Sequence, residues 1–170
     1  MLLATEPSSF AADKQKLQRR IVSFADSQSQ LIIRLPSDFE MKLINAGPPD
    51  RYYYFGCNTE RDVVSQTWVC VTIGNRAYES QMLQETTTPI LKQRDHIAGQ
   101  RVTWLAYETR RGRHVFHRET YLRNFERFAT NSAAARALQG TVVTICIGGI
   151  YPKAVKQTQD WVSRMEFSSK

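Results

Sequence analysis

Residues 99–124, GQRVTWLAYETRRGRHVFHRETYLRN, decide the fold because they form two arms of alternating apolar and polar residues. The arms flank Arg111 and Gly112, and this arrangement is typical of a long β-hairpin. Because hairpin strands run antiparallel, at least part of the sheet is expected to be antiparallel. Four basic residues surround the turn and are expected at its exposed tip: Arg110, Arg111, Arg113 and His114.

Strands outnumber helices along the rest of the chain. Runs rich in aromatic and β-branched residues predict strands, namely QLIIRLP (30–36), RYYYFGC (51–57), VSQTWVCVTIG (64–74) and GTVVTICIGG (140–149). Apolar residues at three- and four-residue spacing predict a helix through Leu17, Ile21 and Phe24. Further helices are expected in part of 77–96, interrupted near Pro89, in the alanine-rich stretch 126–140, and over 151–167.

Together these elements predict an α+β fold in which helices pack on a mostly antiparallel, twisted sheet. Residues 1–23 are expected to form an N-terminal arm and part of a helix, and residues 24–170 a single domain. A chain of 170 residues is long enough to bury the core of one such domain.

The alternation within the strands predicts which side chains share a face of the sheet. In one strand Val69, Val71 and Ile73 lie on one face, whereas Trp68, Cys70 and Thr72 lie on the other. The aliphatic face is expected beneath a helix. The other face carries aromatic, hydroxyl and thiol groups, and it is either covered as further core or open as a groove for an apolar partner segment.

Positive charge is concentrated in the hairpin and the residues after it. The chain has a formal net charge of +7, and residues 101–136 contain eight arginines against three glutamates, a local balance of 8 − 3 = +5. Such a patch attracts phosphates, acidic lipid or the acidic surface of a partner protein. Charge alone does not distinguish these partners.

No motif of catalysis or metal binding accompanies the patch, and no cofactor is predicted. On a strand, His114 and His117 point to opposite faces, so they cannot hold one metal ion together. Cys70 and Cys146 lie in apolar runs, where a thiol is a poor nucleophile. An enzyme would have to assemble its site from distant residues such as His96, His114 and Glu119, which is the least favoured interpretation.

The compartment remains open on the sequence. A disulfide between Cys57 and Cys70 would indicate an oxidising compartment. We expect a cytoplasmic protein as the chain stands, or a periplasmic one if a leader has been removed. No apolar run approaches the roughly 20 residues that span a bilayer, so no membrane span is predicted.

Three stretches resemble the PsbP/DcrB-like proteins, to which the chaperones of type VI secretion effectors are related. They are FADSQSQLIIRLPSDFEM (24–41), IAGQRVTWLAYETRRGRHVFHRETYLRN (97–124) and GTVVTICIGGIYPKAVKQTQDWVSRMEF (140–167). The first is similar to the family's opening strand, the second to its central hairpin and the third to its last strand and closing helix. The resemblance covers residues 24–167 and implies an α/β/α sandwich that binds or assembles other proteins without catalysis.

We therefore expect a non-enzymatic protein-binding module of a bacterial secretion or cell-envelope system, acting as a chaperone, adaptor or partner-neutralising protein. Its partner would be another protein, namely a secreted effector or an envelope component, or a second copy of the chain in a homodimer. The predicted partner-binding residues are Arg110, Arg111, Arg113, His114, Trp68 and Tyr107. The alternative is a nucleic-acid-binding protein that uses the arginine-rich hairpin.

Overall fold

The structure is a computed structural model that describes residues 16–24, 28–45, 51–57, 67–75, 83, 86, 88–111 and 113–169. Its strands are β1 (Leu17–Ser23), β2 (Ser29–Pro36), β3 (Phe39–Asn45), β4 (Arg51–Cys57), β5 (Thr67–Gly74), β6 (Leu91–Ile97), β7 (Gln100–Arg111), β8 (Arg113–Leu122), β9 (Val142–Gly149) and β10 (Glu166–Ser169). A 3-10 helix covers Phe125–Phe128, and the α-helices are α1 (Ser132–Leu138) and α2 (Pro152–Ser163).

The strands form two sheets, and every described pairing is antiparallel. The large sheet has the order β3-β4-β5-β9-β8-β7-β6, and the small sheet has the order β1-β2-β10. The α+β class with a mostly antiparallel sheet is thereby confirmed. The predicted hairpin is also confirmed, because β7 pairs with β8 in a register that places Arg111 opposite Arg113.

Helix α2 covers the aliphatic face of the large sheet, as the alternation of β5 and β9 predicts. Val69, Val71 and Ile73 lie opposite Ile147, Ile145 and Val143, and all six side chains are buried. The helix adds Val155, Trp161 and Val162 to the same core. The indole of Trp161 meets the ring of Phe39 edge-on, with 6.2 Å between the ring centres, so the core reaches edge strand β3.

The small sheet closes the core from the other side of α2. Leu31, Ile33 and Leu35 of β2 are fully buried and belong to the same hydrophobic cluster as the helix. Two phenylalanine contacts join its strands to the 3-10 helix, since the ring centre of Phe125 lies 4.9 Å from that of Phe24 and 5.4 Å from that of Phe167.

The helix predicted through Leu17, Ile21 and Phe24 is wrong, since residues 17–23 form strand β1. This strand pairs with β2 along its whole length. Val22 and Phe24, two residues apart, are buried, whereas Ile21 is 40% exposed. The helical spacing is only a local preference, and tertiary contacts outweigh it. Here those contacts are the backbone pairing to β2 and the burial of every second side chain. Residues 1–15 of the predicted arm lie outside the described residues.

Two other helix predictions need correction. Residues 91–97 form edge strand β6 rather than the end of a helix, and most of its side chains are exposed, which hides the alternating pattern. Of the helix predicted before Pro89, most residues lie outside the described part of the chain. The closing helix ends at Ser163, and residues 166–169 instead form strand β10, which pairs with β2.

Candidate functional site

The mixed face of the large sheet carries a continuous polar and aromatic cluster. The strand register aligns two neighbouring rows of side chains across β4, β5, β9, β8 and β7. One row is Gly56, Trp68, Gly148, His117 and Tyr107, and the next is Tyr54, Cys70, Cys146, Glu119 and Leu105. We call these two rows the mixed-face cluster.

Glu119 is the centre of the mixed-face cluster. Its side chain is fully buried. The hydroxyl of Tyr107 donates a hydrogen bond to Oε2 at 2.9 Å, and the hydroxyl of Tyr121 donates to Oε1. A buried carboxylate is strongly disfavoured unless hydrogen-bond donors satisfy it. The two tyrosine hydroxyl groups supply these donors.

His117 stacks on Tyr107 within the same cluster. The two rings are nearly parallel, and their centres are 5.0 Å apart. Nε2 of His117 lies 3.0 Å from the hydroxyl oxygen of Thr109, a hydrogen-bond distance. Burial lowers the pKa of His117 to about 4, because the charged imidazolium loses its hydration. The imidazole is therefore neutral at pH 7.

The thiol of Cys146 in the mixed-face cluster is not activated. Cys70 and Cys146 lie opposite each other on β5 and β9, and both carry thiols rather than disulfide sulfurs. Burial and the nearby negative charge of Glu119 raise the pKa of the Cys146 thiol far above its ordinary value. The sequence left a bridge between Cys57 and Cys70 open; Cys70 carries a thiol, and the side chain of Cys57 lies outside the described residues.

Two glycines make room for the large rings of this face. A methyl group on Gly148 would overlap the indole of Trp68, and one on Gly56 would overlap the ring of Tyr54. The two rings stack with 6.5 Å between their centres. Trp68 is only half-buried, but it lies flat over the backbone of β9 and beside His117.

The hairpin tip, residues 108–116, is the other predicted site. Arg110 is exposed and lies opposite His114 in the ladder. Nε2 of His114 lies 2.6 Å from Oε2 of Glu108, and its ring packs on that of Phe116 with 4.5 Å between the centres. The side chains of Arg111 and Arg113 lie outside the described residues.

The hairpin extends beyond its neighbouring strands. Strand β6 pairs with β7 only up to Ala106, and β9 pairs with β8 only from Phe116 onwards. On the β7 side beyond Ala106, the backbone N–H of Glu108 donates to the hydroxyl of Thr88 at 3.2 Å. Among the described strands, residues 109–111 and 113–115 pair only with each other, so the tip extends beyond its neighbours; Arg110 and His114 are exposed there, whereas Thr109 is only 4% exposed.

The six predicted partner-binding residues therefore divide into two groups. Arg110 and His114 lie at the projecting tip, together with the backbone of Arg111 and Arg113. Trp68 and Tyr107 belong to the mixed-face cluster, and Tyr107 is only 2% exposed, so its ring belongs to the interior. The three residues named for an assembled enzyme site are not brought together, because Glu119 and His114 point to opposite faces and His96 lies on edge strand β6. Within the described residues, no group of His, Cys, Asp and Glu side chains is arranged to hold a metal ion.

A second basic site lies at the other end of the hairpin, where sequence analysis did not separate it from the rest of the arginine-rich segment. Residues Gln100, Arg101, Arg123, Asn124, Arg127 and Phe128 line a cleft of about 310 Å³. We call it the arginine cleft. The hairpin register, which brings the start of β7 beside the end of β8, is the signal that could have identified Arg101 and Arg123 as neighbours.

Comparison with known proteins gives no assignment, since no protein-family model and no curated protein matches the chain. Among the described residues, the structure contains no helix with the length and apolar composition needed to span a membrane.

Proposed function

We propose that the chain is a non-enzymatic binding module that captures an acidic segment of another protein at the hairpin tip. The extension of residues 109–111 and 113–115 beyond both neighbouring strands carries this proposal. Arg110 and His114 are exposed on this part of the hairpin, and the two-stranded ladder from Leu105 to Arg111 holds their backbone in a fixed register. Binding to a preformed surface loses less conformational entropy than binding to a loose one.

The charge of the tip supports an acidic partner. Three arginines surround the turn, whereas the nearest carboxylate, that of Glu108, already contacts His114. Arginine forms paired hydrogen bonds with carboxylates through its planar guanidinium group. Exposed charges of this kind mainly accelerate association and select the partner.

The state of the mixed-face cluster supports binding rather than catalysis. Its carboxylate is fully buried and accepts hydrogen bonds from two tyrosines. The pKa of the Cys146 thiol is raised, which suppresses the thiolate that a nucleophile requires. These groups contact one another across neighbouring strands, as buried polar groups of a stable sheet do.

At the finer level of fold, we infer a PsbP/DcrB-like α/β/α sandwich. The long central hairpin, the following strand β9 and the closing helix α2 support this inference, because they occur in the order that the resemblance implies. The same resemblance favours a role in bacterial secretion or in the cell envelope, as a chaperone, adaptor or neutralising protein.

The test is a titration with a fluorescein-labelled peptide of ten glutamates, followed by fluorescence anisotropy at low salt. The wild-type chain is expected to bind, and Arg110→Glu combined with Arg113→Glu is expected to weaken binding at least about tenfold, since each charge reversal adds repulsion. Binding is also expected to weaken as salt is added, because salt screens exposed charges such as that of Arg110.

Arg94→Glu is the matched control, because Arg94 is an exposed arginine on edge strand β6 and lies away from the tip. This variant has a lower net charge but an intact tip. It should bind within about twofold of wild type, because ions in solution screen the effect of one charge that lies away from the tip. Equal loss in both variants would contradict the proposal. Tighter binding of a random single-stranded oligonucleotide than of the peptide would instead favour the nucleic-acid alternative.

A further inference from the structure

The arginine cleft combines three positive charges with polar donors. Arg101 lies in β7 opposite His96 of β6, Arg123 follows β8, and Arg127 belongs to the 3-10 helix. All three side chains are exposed to solvent at the cleft. Arg123 and Arg127, which follow Arg101 by 22 and 26 positions in the sequence, thus meet it at the base of the hairpin, and the three guanidinium groups surround one cavity.

Among the described residues, no acidic side chain lines this cleft. None of the ion pairs found among the described residues involves the three arginines. Glu126 lies on the same 3-10 helix but is not part of the lining. A concave site with one sign of charge concentrates the field that attracts an oppositely charged ligand.

Gln100 adds an unused hydrogen-bond donor to the cleft. Its Oε1 accepts a hydrogen bond of 3.0 Å from the backbone N–H of Arg123, which fixes the orientation of the amide. Its Nε2 is buried and has no hydrogen-bond partner among the described atoms. A buried donor without a partner is unfavourable, so an unmet polar group lies beside the three arginines.

An apolar cleft adjoins the arginine cleft and shares Phe128 with it. This second cleft has a volume of about 430 Å³ and is lined by Ala98, Phe128, Met165, Glu166 and Phe167 among others. The carboxylate of Glu166 is paired with Arg34, and Phe128 is 37% exposed. A ligand that extends from the arginines over Phe128 would therefore place an apolar group against these side chains.

We propose that the arginine cleft binds a small phosphate monoester whose apolar group packs on Phe128. Arginine matches both phosphate and carboxylate oxygens. The two negative charges of a phosphate monoester complement three arginines better than the single charge of a carboxylate does. The combined volume of the two clefts accommodates a small organic ligand rather than a folded partner.

This site is independent of the proposed docking at the tip. Strand β7 has 12 residues, so the cleft and the tip are separated by roughly 36 Å along the strand. If the acidic peptide fails to bind, the cleft proposal is therefore unaffected. If phenyl phosphate fails to bind, the tip proposal is unaffected. The tip variant Arg110→Glu with Arg113→Glu is expected to bind the phosphate probe as wild type does.

The experiment is isothermal titration calorimetry of the full chain with phenyl phosphate, inorganic phosphate and benzoate. Phenyl phosphate is expected to bind more tightly than either of the other two, because only it offers both a dianion and a ring. Arg123→Gln and Arg127→Gln are each expected to weaken the binding of phenyl phosphate about tenfold, because each variant loses charged hydrogen bonds. Arg94→Gln, outside the cleft, is the control and should leave binding unchanged.

Phe128→Ala separates the two parts of the site. This variant is expected to bind phenyl phosphate several-fold more weakly and to bind inorganic phosphate as wild type does. Absence of phosphate binding, or equal loss in Arg94→Gln and Arg123→Gln, would overturn the proposal. If an arginine variant fails to fold, amide NMR shifts of the wild-type chain decide the question. Shifts at residues 99–101 and 123–128 on addition of phenyl phosphate support the site, and shifts confined to other residues overturn it.

Discussion

The hydroxyl group of Tyr107 on β7 donates a hydrogen bond to the carboxylate of Glu119 on β8, with 2.9 Å between the oxygens. Both side chains are buried in the mixed-face cluster, at positions one row apart. The bond therefore joins the two arms of the hairpin inside the protein, and it keeps a carboxylate hydrogen-bonded where water is excluded.

Tyr107→Phe is expected to destabilise the chain by about 1–3 kcal/mol, because it removes a donor to a buried carboxylate while leaving the ring in place. Urea unfolding followed by circular dichroism measures the change. Tyr151→Phe is the control, since Tyr151 is 40% exposed. Equal stability of the two variants would show that Glu119 does not depend on the Tyr107 hydroxyl.

His117 makes stability depend on pH in a defined window. Its pKa is about 4 in the folded chain and near the ordinary 6.5 in the unfolded chain, so the unfolded state takes up the proton first. The stability that the neutral imidazole provides is complete above pH 6.5 and is lost as pH falls from 6.5 to 4. Urea unfolding of wild type and His117→Gln over this range is the measurement.

The stability difference between wild type and His117→Gln is expected to shrink as the pH falls, because the variant has no imidazole to protonate. The carboxylates titrate in both chains, so their contribution largely cancels in the comparison. A difference that stays constant from pH 6.5 to pH 4.5 would contradict a buried, neutral His117.

Gly148→Ala is expected to destabilise the chain by about 1–3 kcal/mol, since the added methyl group forces the indole of Trp68 from its position over β9. Thermal unfolding and tryptophan fluorescence report the effect. Combining it with Trp68→Leu removes the obstructing ring, so the double variant should lose less stability than the sum of the two single variants. Strict additivity would mean that the ring and the glycine do not interact.

Cys70 and Cys146 are expected to resist alkylation by iodoacetamide in the folded chain, because Cys70 is buried and the pKa of the Cys146 thiol is raised far above its ordinary value. The measurement is mass spectrometry of a Cys57→Ser variant treated at pH 8 with and without urea. Two labels in urea and none without it are expected over the same interval. Rapid labelling of the folded chain would indicate that the mixed face opens to solvent.

The parts of the fold that could be predicted are those with a strong local pattern. The alternation of β5 and β9 identified the aliphatic face, and a turn centred on Gly112 places Tyr107 opposite His117 by simple counting. The N-terminal strand β1 could not be predicted in this way. Its apolar spacing resembles a helix, and only the available edge of β2 makes the extended conformation more favourable.

The arginine cleft could not be predicted from the sequence either. Arg101 and Arg123 become neighbours through the hairpin register, but Arg127 joins them only because the 3-10 helix folds back beside the turn at Ala98 and Gly99. Ala98 adopts a positive φ of 50° in that turn. Such positions depend on tertiary packing, which local composition does not encode.

The most direct test of the account is amide NMR of the isotopically labelled chain during titration with the acidic peptide. Docking at the tip predicts shifts that are concentrated at residues 108–116 and absent from residues 68–72 and 144–148 of the mixed face. Shifts concentrated on the mixed face, with the tip unchanged, would contradict the central claim that the chain binds its partner through the projecting end of the hairpin.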